Sequence, residues 1–62
     1  MDYHNEQVQQ HLLADGTLAE LIDWLMWNDP NGVYSHADSI AEGMDPLTLQ
    51  EARDVMRDQL AR

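Results

Sequence analysis

Between Thr17 and Asn28 the apolar residues recur at the period of an α-helix: Leu18, Leu21, Ile22, Leu25 and Met26 fall at i, i+3, i+4, i+7 and i+8. Thr17 and Glu20 bracket its start as a Thr-Leu-Ala-Glu capping box, which satisfies two otherwise orphaned backbone donors. Its end is set by Asn28-Asp29-Pro30-Asn31-Gly32, where the residue before proline disfavours helix and the Asn-Gly pair suits a turn. No segment alternates apolar and polar residues as a half-buried strand does, so the Asn-Gly turn has no hairpin to close. The chain is therefore expected to build an all-α fold around this helix.

The same signals place its neighbours. A first helix is expected from Asp2 or Asn5 to Ala14, with Val8, Leu12 and Leu13 as its apolar contacts and Gly16 as its C-cap. A short helix is expected from Ser35, with Asp38 in its first turn, through Ala41 or Glu42 to a stop at Gly43. The last helix starts either at Asp45-Pro46 or at Thr48, where Glu51 completes a second capping box, and runs nearly to Arg62. Its inward side is Leu49, Ala52, Met56 and Leu60, with Val55 at the edge. The result is a small bundle of three to four short helices, one acidic domain over residues 1–62. A chain of 62 residues buries only about 60% of its unfolded surface, and with no cysteine it has neither disulfides nor a thiolate zinc site to brace it. Self-association is the remaining brace, and the expected state is a monomer or a weak homodimer.

Charge narrows the function. Twelve Asp and Glu stand against three Arg and no Lys, a formal net charge of -9, and the bases (Arg53, Arg57, Arg62) all fall in the last ten positions. Nucleic acid and anionic membranes would be repelled, so the expected partner is a basic, nucleic-acid-binding protein or complex. No apolar run reaches a membrane-span length, and Met1-Asp2-Tyr3-His4 lacks the bases of a targeting peptide, which makes the cytoplasm the expected location.

Helical geometry sorts the acids. On the last helix Glu51, Asp54 and Asp58 lie opposite the apolar side, with Asp54–Arg57 and Asp58–Arg62 spaced to pair. Glu20 and Asp23 lie on the outer face of the second helix, while Asp38 and Glu42 stack at i,i+4 on the third, both without basic neighbours. These seven are the candidate partner-binding carboxylates; Asp29 and Asp45 are expected to serve turn and cap geometry instead. A solvated acidic face that only confers solubility has the same composition, but the absence of any Lys favours a binding role. Trp24 and Trp27 lie off the Leu/Ile stripe beside Glu20. They are expected either to anchor a partner or to fill a second buried face of a central helix.

Chemistry is sparse. His4, His11 and His36 lack the paired spacing of a zinc site, and a chain this short hardly builds the cleft that carboxylate acid–base catalysis requires, so neither metal, cofactor nor enzymatic activity is expected. His36-Ala37-Asp38-Ser39-Ile40 resembles the Asp-Ser-Leu motif of acyl carrier proteins, which would make Ser39 a phosphopantetheine attachment site. Gly43, Asp45 and Pro46 interrupt the long helix that family requires after its serine.

In size, charge and helicity the whole chain resembles the small acidic anti-CRISPR proteins of phages and mobile elements that mimic DNA. The resemblance implies an inhibitor in the cytoplasm of a bacterial host, blocking the basic, PAM-reading or duplex-binding surface of a defence complex such as a CRISPR effector. The alternative is a small regulatory or structural protein–protein interaction module that buries the apolar face carrying Trp24 and Trp27.

Overall fold

A computed structural model describes residues 2–62 and contains four helices: α1 (Glu6–Asp15), α2 (Leu18–Asn28), α3 (His36–Ala41) and α4 (Leu49–Leu60). No strand forms among the described residues, so the fold is all-α.

Each helix begins where a side chain can take up its free donors. Asn5 caps α1, accepting from the Gln7 and Val8 amides, and Ser35 caps α3 by accepting from the Asp38 amide. Both capping boxes form, Thr17 with Glu20 and Thr48 with Glu51. Of the two starts expected for the last helix, the box at Thr48 therefore prevails over Asp45-Pro46. A hydroxyl and a carboxylate satisfy two donors there, while Pro at a first helical position only avoids wasting one.

The stops differ from one another. Gly16 ends α1 in extended backbone (φ -64°, ψ 145°), its amide donating to the Leu12 carbonyl. Gly43 ends α3 with φ +72°, and the Met44 amide donates to the Ser39 carbonyl at 2.8 Å while the Gly43 amide reaches Ile40 at 3.1 Å. That pair of bonds is a Schellman motif, and it requires the left-handed residue that glycine supplies without a Cβ penalty.

The core is Leu12 of α1, Leu21, Trp24 and Leu25 of α2, Ala52 and Met56 of α4, and Tyr34 from the loop before α3. α2 and α4 share the closest interface and α1 lies against both. Val8, Leu13, Leu18, Ile22, Leu49, Val55 and Leu60 pack around this centre half-buried.

One expectation fails in detail. Met26, which periodicity places on the inward stripe of α2, is 43% exposed, and Trp24 takes that place at 1%. The buried face is rotated by roughly 60° from the Leu/Ile stripe. The physical reason is size: an indole removes far more apolar area from water than a thioether chain, and α2, flanked by both α1 and α4, can cover it. The indole Nε1 is buried without an acceptor among the described residues, which offsets part of that gain.

The loop between α2 and α3 is held by polar contacts. Gly32 closes a turn onto the Asp29 carbonyl (3.1 Å), and a side chain at position 32 would collide with the Tyr34 ring. The Tyr34 hydroxyl donates to Asp29 Oδ2 (2.6 Å) and accepts from Gln59 Nε2 (2.7 Å), while Gln59 Oε1 accepts from Asn28 Nδ2 (2.8 Å). This chain of bonds ties the end of α2 to the end of α4. By contrast no α-carbon of α3 lies within 8 Å of one in another helix.

Candidate functional site

The seven candidate carboxylates divide by what engages them. Glu20 and Glu51 each turn one oxygen back to a backbone amide, Thr17 at 2.9 Å and Thr48 at 3.0 Å. The Thr17 backbone amide, and then its hydroxyl, hold the Glu20 carboxyl below its ordinary titration range, with His11 adding a weaker pull in the same direction. Glu20 is thus kept charged, but half its acceptor capacity is committed to the helix start. Asp54 pairs with Arg57 (3.2 Å) and also accepts from Gln50, and Asp58 pairs with Arg62 (2.6 Å). All four partners of these ion pairs are more than half exposed, so each pair contributes less than about 1 kcal/mol and opens readily to a competing cation.

Asp23, Asp38 and Glu42 are the exposed, unengaged members of the set, and their carboxylates accept no hydrogen bond among the described residues. Three further acids share that state: Glu6, Asp15 and Asp45. Asp29 serves the turn as expected. Asp45 does not serve a cap, because Thr48 takes that role and leaves the Asp45 carboxylate free in solvent.

The ends of the helices carry a further pattern, which reasoning from helix faces missed. α1 ends on Asp15, and the C-caps of α2 and α3 are Asp29 and Glu42; none of these three helices has a base in its last turn. A carboxylate at a helix C-terminus faces the negative end of the macrodipole and costs about 0.3–1 kcal/mol where a Lys or Arg would stabilise. Only α4, with Arg57, has the stabilising arrangement. The signal was present in the sequence as an acid just before each stop.

The two tryptophans separate. Trp24 is part of the core and has no surface to offer, so the expectation that it anchors a partner is withdrawn in favour of its packing role. Trp27 is 42% exposed, with the Tyr3 ring edge-on at 5.6 Å and the His4 ring edge-on at 4.7 Å. It sits on the outer face of α2 between Glu20 and Asp23. Two other large apolar side chains, neither among the candidate residues, are also in solvent: Ile40 at 59% and Met44 at 54%. Ser39, the residue matched to the carrier motif, is buried at 2% exposure.

No cleft opens among the described residues, and no three His, Asp or Glu side chains converge as metal ligands there. Among the described residues no helix is long and apolar enough to cross a membrane. What the surface can do chemically is accept cations and hydrogen-bond donors over several helices. No protein-family model matches the chain, and no curated protein or solved structure does either.

Proposed function

We propose that the protein is a DNA mimic, an inhibitor that acts by binding and not by catalysis. It would occupy the basic DNA-binding or PAM-reading surface of a bacterial defence complex, such as a CRISPR effector, in the host cytoplasm. The observation that carries this reading is the set of acids retained at a cost to folding. Two of four helices, α1 at Asp15 and α3 at Glu42, end on an unengaged carboxylate with no base in the last turn, and six exposed carboxylates, these two included, have no partner among the described residues. Solubility alone does not require acids at positions where they oppose the helix dipole.

Dimensions support the reading and bound it. The long axis of 34 Å is close to one turn of B-DNA. A duplex of that length presents about 20 phosphate charges at one per ~1.7 Å. The protein carries a net -9, less than half of that. Charge alone gives it no advantage over DNA, so other contacts must contribute to affinity. Trp27 favours the second reading, an apolar interaction module, because an indole flanked by Tyr3 and His4 is a ready interface anchor.

A pull-down from bacterial lysate at low and raised salt, with captured proteins identified by mass spectrometry, separates the two. Mimicry predicts a basic nucleic-acid-binding complex that is lost at raised salt. A partner that resists salt and is lost with Trp27→Ala would replace mimicry by the interaction module.

A further inference from the structure

We propose that the outer face of α3 is a docking surface for a cationic amphipathic helix of the partner protein. Ser39 is the one buried side chain of this helix, and His36, Ala37, Asp38, Ile40 and Ala41 are all exposed. Ala37, Ile40 and Ala41 fall at i, i+3 and i+4, the spacing of an inward-facing stripe, yet all three are in solvent and no α-carbon of α3 lies within 8 Å of another helix. The Schellman turn at Gly43 adds Met44, also exposed, directly after them. The two alanines lower the surface so that a second helix can approach closely, with Ile40 rising beside them.

Charge selects the occupant. Asp38 and Glu42 lie one turn apart on the opposite flank of α3 from Ile40, and Asp45 follows Met44; none of the three carboxylates is engaged among the described residues, and residues 36–47 contain no Lys or Arg. A helix with an apolar stripe and flanking Lys or Arg satisfies both halves of this surface. A second copy would set carboxylates against carboxylates with a net -9 on each chain. The proposal rests on the reading above only in that both require a basic partner. It identifies apolar contacts that would supplement a charge lower than that of DNA.

The test is an amide chemical-shift titration of the full chain with two synthetic helical peptides of about 18 residues and equal positive charge, one with a leucine stripe and one with serines in its place. The leucine peptide is expected to bind more tightly and to shift amides within residues 36–45. The pair of substitutions Ile40→Ser and Met44→Ser, both in solvent, should weaken it about tenfold and leave the serine peptide unchanged. Equal binding of the two peptides, shifts centred on Trp27, or no effect of the substitutions would overturn the proposal. Self-association lost with Ile40→Ser would also overturn it, by making a second copy the occupant. Leucine-peptide binding at α3 without any competition against duplex DNA leaves the docking surface intact and removes mimicry. Competition that Ile40→Ser does not alter does the reverse.

Discussion

α2 and α3 are both capped by a hydroxyl and both carry acids, yet they sit in the molecule in opposite ways. α2 buries Leu21, Trp24 and Leu25 between α1 and α4, and its acid Glu20 closes its own capping box. α3 buries one serine, brings no α-carbon within 8 Å of another helix and leaves Asp38, Ile40 and Glu42 in solvent. The difference teaches that the acidic residues have two roles. Those of α2 and α4 are partly spent on folding, through caps and ion pairs, while those around α3 accept no hydrogen bond and form no ion pair among the described residues, and Asp38 alone meets a favourable helix end.

The sharpest way to break this contrast is substitution of the apolar residues. Trp24→Ala should lose about 3–5 kcal/mol and leave little folded protein, since the site is fully enclosed. Ile40→Ser should stay within about 0.5 kcal/mol of the parent in urea denaturation followed by circular dichroism. A large loss from Ile40→Ser would mean that α3 belongs to the core after all.

Gly43→Ala should cost about 1–2 kcal/mol because it forces a Cβ into left-handed backbone, and with no neighbour around position 43 the cost is conformational and not steric. Amide exchange should locate the loss: faster exchange at Met44 and Gly43, with little change in α2.

The smallest effects are pH-dependent. Burial first, and then the bond to Asp29, raise the Tyr34 hydroxyl above its ordinary titration, with Gln59 opposing. A group raised in the fold contributes stability that is complete below its unfolded value near 10 and is lost as pH rises through the higher folded value. An alkaline loss of stability that Tyr34→Phe removes is therefore expected. Glu20 has the opposite sign: its carboxyl is lowered in the fold, so its contribution is present above 4.5 and is lost as pH falls through the lower folded value. Glu20→Gln should flatten that acid limb.

Much of the fold was legible because local chemistry determines it. Two capping boxes, the proline turn at Asp29 and the glycine stops at Gly16 and Gly43 each act over a few residues, and with the apolar periodicity they mark out the four helices. The rotation of α2 was not legible, since which face of a central helix is covered depends on where its two neighbours lie, and periodicity weighs Met26 and Trp24 without that information. The pairing of Asp54 with Arg57 and of Asp58 with Arg62 was read correctly from spacing along one helix. That Asp45 would be released when Thr48 took the cap was not, because two start signals three residues apart compete, and the two donors satisfied by the box decide between them only once Thr48 and Glu51 close it in the fold. The exposure of Ile40 and Met44 follows only from α3 standing apart from the bundle.

The central claim is that free carboxylates on the surface compete with DNA for a basic protein. It is tested most directly by fluorescence anisotropy, with a labelled duplex bound to a purified CRISPR effector complex and displaced by the parent chain or by an Asp23→Lys, Asp38→Lys, Glu42→Lys triple variant at about 50 and 200 mM salt. The account predicts displacement by the parent that weakens steeply with salt and is absent for the triple variant. Displacement that the triple variant retains, at either salt concentration, would contradict it.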